Sequence, residues 1–600
     1  MKKYNKYLII IFLLAFALFQ GCESLDLEKL NTPNALGPDQ ADPALLFNHI
    51  QNDYRDGVTN FNDIGGELSR IENMFGRVYY SNYPGSRLNN PWNNLYSGML
   101  PDIAAIENLN TDGSFNYLVG ASKAMEAHLL MLFVDYIGDA VYTEANDAAD
   151  FPTPQLDDGA SIYQSALSLL DEAKTLLQGS TLGAATDFYY QGDADKWIKF
   201  INTLKMRAAL TTGDYQAVVN ATNVITSNDD NMVYEYGTNE STPDTRHPDY
   251  KSDYSAQGAG NYRSNWLMNL MVGKYGDLSS SGNDPRRRYY FYRQIEATPG
   301  SYGVYYLDCG GCSDEGYYLY QPGEDAQTLV CSVQTTPTHL QFTPDEDYWC
   351  TMRMGYWGRT HGNAEGIPPD NFQRTASGVY PAGGRFDDNP DIFLYDAVNG
   401  VVHWWTAKVG PGLGAGGQGI EPIICSSYVE FWKAEAYLAL NDATNATTHF
   451  QNGIVQSIAY VTSFGARDTK ADLSYAPDAT EIGDFVNEMT SEFEDAPMTT
   501  PLDGFGWPRD ASGNMNKDKM DILGEQFFIA MYGGAADAFN FIRRTGYPRT
   551  LARPIDENSG PFPRTLLYPS DESGTNPNVT QRQDNSTKVF WDTGITNPAN

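Results

Sequence analysis

Residues 161–177 read SIYQSALSLLDEAKTLL, a stretch in which apolar side chains recur at intervals of three and four. The positions are Ile162, Ala166, Leu169, Leu170, Ala173, Leu176 and Leu177. This spacing keeps one face of a helix apolar over about four turns, whereas a strand would alternate every second residue. We therefore predict an amphipathic helix that begins near Ser161 and buries one face against a neighbouring element.

The same spacing returns in other parts of the chain. It involves Trp197, Phe200, Ile201, Leu204 and Ala208, then Tyr428, Phe431, Trp432, Glu435 and Leu438, and then Phe527, Phe528 and Met531. Residues 231–420 are instead rich in Gly, Pro, Asn, Asp and Tyr, a composition typical of long loops with a few short strands. We predict a mainly α fold, with paired helices over about 40–225 and 421–545 and a loop-rich region inserted between them. Helical-pair repeats are compatible with this pattern, although no tetratricopeptide consensus recurs at a fixed spacing.

The N-terminus has the layout of a cleaved secretory signal. Lys2, Lys3 and Lys6 precede an apolar run at 8–19, which is too short to span a membrane, and Gly21 and Cys22 follow. A cysteine directly after a small residue at the cleavage point is typical of a lipidated protein. We predict a signal peptide at 1–21, acylation of Cys22, and a water-exposed domain at 22–600. The alternative is a cleaved, unlipidated signal with a leftover thiol. After the signal, we expect no stretch apolar enough to cross a membrane.

Composition narrows the classes of partner. The chain has 40 basic and 76 acidic residues, a formal net charge of −36, and 41% hydrophobic residues. Such a hydrophobic content allows a sizeable core, while the negative charge would repel nucleic acid and anionic membrane surfaces. We therefore expect neither as a binding partner.

Four cysteines, Cys309, Cys312, Cys331 and Cys350, lie close together in loop-like sequence. Export would place them in an oxidising compartment, so we predict two disulfides, whose pairing the sequence leaves open. A zinc site is the alternative, although the spacing lacks the second Cys-x-x-Cys that would favour it. Cys425, in an apolar stretch, is predicted to be a buried free thiol.

Catalytic signatures are weak. Residues 414–419 satisfy G-x-G-x-x-G, but no apolar strand precedes them, so we interpret this stretch as a loop. The sequence has no G-x-S-x-G, H-E-x-x-H or P-loop motif. We predict no catalytic residues, no metal site and no cofactor. A glycosidase with paired carboxylates stays open, because its two acids need no fixed spacing.

Several strings, in order along the chain, resemble the SusD/RagB family of outer-membrane nutrient-binding lipoproteins. They are LFVDYIGDAVYTEA at 132–145, the helix at 157–177, YQGDADKWIKFINTLKMRAAL at 190–210, NDPRR at 283–287, EPIICSSYVEFWKAEAYLAL at 421–440, IRRTGYP at 542–548 and FPRTLLYP at 562–569 followed by Asn576 and Asn578. GYWGRTHGNAEGIPPD at 355–370 and RHPDY at 246–250 resemble a branch of the family that is not tied to starch.

The resemblance implies a fold of tetratricopeptide-like helical pairs packed against an irregular ligand-binding region. It also implies a lid-like role over a SusC-like TonB-dependent transporter at the outer face of the outer membrane, and it implies no catalysis. We interpret Trp197, Leu204 and Glu435 as framework, together with the turn at 542–548, where Arg543 or Arg544 is expected to pair with an acid.

A sugar site needs flat aromatic faces flanked by polar side chains, and aromatics make up 13% of this chain. We predict ligand contact by a first cluster, Tyr79, Tyr80, Tyr83, Arg87, Trp92 and Asn93, in what we expect to be an exposed loop, and by a second, Tyr356, Trp357 and Arg359. A tyrosine-rich stretch at 302–320 is a further candidate for ligand contact, and it could instead face the transporter. The function we expect is capture of a glycan. A peptide binder, a surface glycosidase and an oligomeric scaffold are the alternatives.

Overall fold

The computed structural model describes residues 41–272, 283–295, 355–363, 372–391, 405–512 and 514–599, together with the backbone of four short strands between 302 and 403. Cys22, the four clustered cysteines and the side chains at 302–320 lie outside the described residues. The predicted lipidation, disulfides and transporter-facing tyrosines therefore stay predictions.

Helices make up the framework of the described chain. They are α1 (Pro43–Ser69), α2 (Tyr79–Asn82), α3 (Asn89–Asn93), α4 (Leu100–Leu109), α5 (Asn116–Ile137), α6 (Gly159–Leu177), α7 (Ala194–Thr211), α8 (Tyr215–Asn220), α9 (Pro248–Asp253), α10 (Asn265–Val272), α11 (Arg287–Tyr290), α12 (Ser426–Ala439), α13 (Ala443–Thr462), α14 (Ala479–Asp495), α15 (Lys519–Ala530), α16 (Ala536–Thr545) and α17 (Ser570–Thr575). Single-turn 3-10 segments occur at Gly85–Leu88, Asn228–Asp230, Ser463–Arg467 and Leu473–Tyr475, and Asn94–Met99 is a π-helical turn.

The strands are short and pair two by two. They are β1 (Met232–Glu235), β2 (Phe291–Tyr292), β3 (Tyr302–Val304), β4 (Leu319–Gln321), β5 (Ala376–Ser377), β6 (Leu394–Asp396), β7 (Val401–His403) and β8 (Ile420–Ile424). The antiparallel pairs are β1 with β8, β2 with β5, β3 with β4, and β6 with β7. Most strands lie within the predicted loop-rich region, so the mainly α fold with an irregular insertion is confirmed.

Aspartate caps explain where the long helices begin. Asp158 accepts a hydrogen bond from the Ser161 amide at 3.1 Å, so α6 starts at Gly159, slightly before the predicted Ser161. Asp193 caps α7 and Asp518 caps α15 in the same way. A side-chain oxygen satisfies amides that have no partner within the first turn of a helix. The predicted apolar faces of α6 and α7 are buried, apart from the half-buried Leu176.

Neighbouring helices pack in chain order, as expected of helical pairs. Helix α5 packs against both α1 and α6, α6 against α7, and α7 against α8, which in turn contacts α12. Helix α12 then packs against α13, and α14 lies against both α13 and α15. Helix α16 returns to α1 and so joins the C-terminal helices to the N-terminal ones.

Helix α5 corrects one sequence expectation. Over 22 residues it is long and apolar enough to cross a membrane, with a mean hydropathy of 1.2, although we expected no such stretch after the signal. Its most apolar stretch is 94% buried within the protein. Packing on every side, by α1, α6 and α7 among others, explains why this helix is apolar all round.

Asp135, at the end of α5, is a buried hydrogen-bond acceptor for side chains from several segments, some of which belong to the family-like strings. It accepts hydrogen bonds from Arg207 of α7 at 2.7 Å, from Asn540 of α16 at 2.7 Å and from Trp591 at 3.0 Å, and also from Tyr163 of α6. Because an ionised carboxylate is stable in the interior only when it is paired and hydrogen-bonded, this set fixes four segments around one point.

The framework interpretation of the other motifs also agrees with the structure. Trp197 and Leu204 are fully buried, and Arg544 forms a two-pronged ion pair with the buried Glu435, at 2.6 and 2.7 Å. Cys425 is a free, buried thiol, as predicted.

Close packing beside α1 depends on a glycine. A Cβ atom at Gly65 would lie 2.6 Å from the Tyr136 hydroxyl and would also collide with the backbone carbonyl of Ala535. Any side chain would therefore push apart α1 and the turn between α15 and α16. That turn forms part of the cavity described next.

Candidate functional site

A cavity of about 480 Å³ lies where α1 meets the loop-rich region. One wall is the C-terminal half of α1, which contributes Thr59, Asn62, Asp63 and Glu67. Spacings of three and four residues place these polar side chains on one face of the helix. The opposite face of α1 is apolar and buried in the core.

The other walls come from segments distant in sequence. The chain after α1 provides Glu72, Asn73 and Phe75, and the start of α9 provides Asp249 beside the capping residue His247. Residues 260–263, Arg374 and Glu421 of β8 also line the cavity, together with Gly533, Ala535, Asn82 and Arg87. The RHPDY string at 246–250 therefore lies at this cavity. Phe75 is 44% exposed and offers an aromatic face.

Three guanidinium groups in the lining already have partners. Arg87 donates to Glu67 at 2.9 Å. Arg263 lies 2.5 Å from the buried Asp253 and 3.5 and 3.6 Å from Glu72 and Asp249. The guanidinium of Arg374 lies 3.9 Å from the ring centroid of Tyr262, and Arg374 donates to the Gly260 carbonyl at 3.2 Å.

Burial raises the pKa of three carboxyl groups in the cavity, those of Asp63, Glu72 and Glu421. Asp63 is accessible from the cavity, yet the surrounding protein, together with Asp249 and Glu67, raises its pKa to about 7. Burial raises the pKa of Glu421 to about 8, although Asn62 donates a hydrogen bond to it at 2.7 Å. The pKa of Glu72 is also raised, by burial first and then by Asp249 and Asp63, against the effect of Arg263. In a poorly hydrated space with like-charged neighbours, the charged form is disfavoured.

His247 adds no positive charge to the wall. Burial lowers its pKa to about 4, and its Nδ1 accepts from the Asp249 amide at 3.1 Å. It is therefore a neutral residue that caps α9. Within the described ranges, no three His, Cys, Asp or Glu side chains are arranged to hold a metal ion.

The first predicted cluster is mostly buried, which corrects the expectation of an exposed loop. Residues 79–93 form α2, a 3-10 turn and α3. Tyr79 and Tyr83 are each 1% exposed and Trp92 is 6% exposed. The Tyr79 hydroxyl lies 3.0 Å from His361, and the Trp92 ring packs edge-on against Phe133. A ring with so little free surface has no face on which a sugar can stack.

The remaining members of the cluster have different environments. Arg87 lines the cavity. Tyr80 is 47% exposed on α2, the helix whose last residue, Asn82, also lines the cavity. Asn93 is exposed and donates to Asp571 at 2.9 Å. Ligand contact by Arg87 and Tyr80 stays a prediction that their positions favour.

The second predicted cluster lies behind the cavity wall. Tyr356, Trp357 and Arg359 are 0%, 5% and 2% exposed. Tyr356 accepts a hydrogen bond from Arg287 at 2.9 Å, and the guanidinium of Arg359 lies 4.4 Å from the ring centroid of Tyr262. Arg359 thus supports a cavity residue and does not itself line the cavity.

Sequence reasoning missed the acidic lining. Asp63 and Glu72 are unremarkable in sequence, because acidic residues are common in this chain, and Asp249 was noted only as part of the family-like RHPDY string. Glu421 carried the one usable signal, a carboxyl group inside the apolar strand IEPII. A buried acid in an apolar strand indicates either an ion pair or a binding site.

The chain was compared with known proteins. A family described as "Starch-binding associating with outer membrane" matches residues 33–338. The search of curated proteins finds no match. Among solved structures, a SusD/RagB family protein from Bacteroides thetaiotaomicron has 18% identity and a TM-score of 0.60, covering 92% of this chain and 99% of its own.

Two further structures are similar. A SusD homologue from Bacteroides uniformis has 16% identity and a TM-score of 0.55, over 92% of this chain and 100% of its own. A chitin-binding SusD homologue from Flavobacterium johnsoniae has 17% identity and a TM-score of 0.52, over the same shares. At these identities the likeness is one of fold.

Proposed function

The chain belongs to the SusD/RagB family, and from that premise we propose that it is a nutrient-binding protein of the cell surface, which captures an oligosaccharide in the cavity beside α1. Family members are binding proteins associated with the outer membrane, and a relative of the same fold binds chitin. The observation that carries the proposal is the cavity itself. Its volume of about 480 Å³ falls within the range of small-molecule sites, and it combines an exposed aromatic ring with amide, carboxylate and guanidinium groups.

Capture has a simple physical basis in this lining. The ring of Phe75 can cover the C–H face of a sugar, and the amides of Asn73, Asn82 and Asn261 can exchange hydrogen bonds with hydroxyl groups. The cavity walls belong to packed elements such as α1 and β8, so little ordering of the protein is needed on binding.

If the protein captures its ligand, it should bind an oligosaccharide without cleaving it. Titration of the purified mature protein with a panel of oligosaccharides should detect a ligand by calorimetry, and chromatography of the same mixtures should recover each oligosaccharide intact. Weakened binding in the Asn261→Ala variant would assign the ligand to this cavity. Failure of every glycan to bind, with a peptide bound instead, would favour the peptide-binding alternative.

A surface glycosidase is the second candidate, and one observation favours it. A carboxyl group with a raised pKa beside other carboxylates, as at Asp63 and Glu72, is what a general acid requires. Released reducing ends that disappear in the Asp63→Asn and Glu72→Gln variants would establish hydrolysis and overturn simple capture.

We further propose that acylated Cys22 tethers the protein to the outer face of the outer membrane, where it delivers its ligand to a SusC-like TonB-dependent transporter. The lysines, apolar run and Gly-Cys pair at the N-terminus support the tether. Metabolic labelling with a fatty acid should mark the wild type and not Cys22→Ala. Affinity purification from membranes should recover the transporter. Recovery of the transporter by a protein that binds no nutrient would support the scaffold alternative.

A further inference from the structure

The charged side chains that line the cavity indicate which class of ligand it can bind. Five carboxyl groups line it, from Asp63, Glu67, Glu72, Asp249 and Glu421. They face three arginines, each of which already has a partner for at least one terminal nitrogen. An anionic sugar such as a uronate would therefore meet more carboxyl groups than arginines, and would compete for arginines that are already engaged.

The carboxyl groups themselves are incompletely compensated. Arg263 approaches Glu72 and Asp249 only at 3.5 and 3.6 Å, because its shortest contact, 2.5 Å, is with Asp253 behind the wall. No ion pair joins Asp63 to a basic side chain of the described residues. The raised pKa of Asp63 reflects burial and like-charged neighbours that no nearby cation offsets fully.

A buried oxygen atom in the cavity wall also indicates that the ligand supplies a hydrogen-bond donor. The Oδ1 atom of Asn73 is buried and accepts no hydrogen bond from the described residues. A buried acceptor without a partner costs about 1–3 kcal/mol, so such atoms normally face a ligand or a water molecule. The exposed ring of Phe75 lies on the same wall and suits the face of a sugar or a cation above it.

We propose that this cavity selects oligosaccharides that carry free, protonated amino groups. This inference rests on the proposed capture of glycans and adds the charge of the ligand. An ammonium group brings three N–H donors and one positive charge to a wall lined by five carboxyl groups. Its positive charge would favour the ionised form of Asp63 and Glu72, whose pKa values are raised in the protein alone. The negative charge of the whole chain would also favour the approach of such ligands.

The matched test uses two ligands of one backbone, a β-1,4-linked glucosamine oligomer and its fully N-acetylated counterpart of equal length. Calorimetry near neutral pH and at low salt should give at least about tenfold tighter binding for the free amine, equivalent to about 1.4 kcal/mol. The preference should shrink as salt is added, since exposed charges are then screened.

Isosteric variants identify the groups responsible. Asp63→Asn and Glu72→Gln should each weaken binding of the glucosamine oligomer several-fold, and should weaken any binding of the N-acetylated oligomer less, so that the preference for the amine shrinks. Asp150→Asn removes one charge from an exposed position outside the cavity and should alter neither. Thermal unfolding of each variant checks that the protein is folded.

The outcomes separate the two proposals. If the N-acetylated oligomer binds as tightly as the amine, or more tightly, glycan capture stands and selection for amines is overturned. If neither oligomer binds, both fail for this class of glycan. If a lysine-rich peptide binds and neither oligomer does, the site takes peptides and the saccharide assignment is overturned.

Discussion

Phe75→Ala is the sharpest test of the cavity, because the ring is both exposed and part of the lining. Its side chain is 44% exposed, although a phenylalanine in a soluble protein is usually buried. A phenylalanine side chain has roughly 200 Å² of surface, so the exposed fraction leaves about 90 Å² available to a ligand.

The magnitude follows from that area. A sugar covers one face of the ring, about half of the available surface, and at roughly 25 cal/mol per Å² this contributes about 1 kcal/mol. The directional part of stacking adds about 0.5–1 kcal/mol. Loss of the ring should therefore weaken glycan binding by about 1.5–2 kcal/mol, or roughly 10- to 30-fold. Stability should change little, within about 0.5 kcal/mol, because an exposed ring makes few core contacts.

The assay pairs calorimetric titration with thermal unfolding of the same preparation. Phe505→Ala is the matched control, since Phe505 is 56% exposed and lies outside the cavity lining. It should bind glycan like the wild type. Equal affinities of wild type and Phe75→Ala, for a ligand that protects Asp63 from chemical modification, would refute the role of the ring. Comparable losses of affinity in both variants would indicate that the glycan binds exposed aromatic rings in general and not this cavity.

Three further predictions concern stability and reactivity. Asp135→Asn keeps the side-chain shape but places a donor opposite buried donors, so we expect the free energy of unfolding to fall by about 3 kcal/mol. The urea midpoint should fall accordingly. Asp150→Asn is the control, and an Asp135→Asn midpoint that is unchanged like that of the control would contradict this prediction. The pKa values of Asp63 and Glu421 are raised to about 7 and about 8, so the folded state binds protons more readily than the unfolded state. Their contribution to stability is present below about pH 4 and is lost as the pH rises through 7 to 8. The thermal midpoint should fall over this range in the wild type and fall less in an Asp63→Asn, Glu421→Gln variant; parallel curves would disprove the assignment. Burial raises the pKa of Cys425 to about 12, so an alkylating reagent should modify it only after unfolding, as followed by peptide mass spectrometry.

The candidate site was only partly accessible to sequence reasoning. Arg87 and the RHPDY string were singled out and do lie at the cavity. Tyr79, Tyr83 and Trp92 were chosen because aromatic residues near polar ones suit sugars, but the same residue types also fill cores. Whether a ring faces outward depends on which element covers it. For Tyr79 that element includes His361, more than 280 residues away in the sequence.

The sequence by itself determined the helical framework and the family. Helix positions follow from local rules, since a period of three to four residues and an aspartate cap act within a few turns, as at Asp158 and α6. Burial of the predicted face follows almost automatically, because an apolar stripe must find a partner.

Only the tertiary structure decided where the candidate cavity lies. The cavity gathers α1, the start of α9, β8 and the turn beyond α15, and more than 100 residues separate each of these segments from the next. No local period encodes that meeting. The high pKa of Asp63 arises in the same way, since it depends on the burial and charged neighbours that folding creates. Electrostatic environment and accessibility are properties of position in space, and a linear sequence specifies them only through the fold.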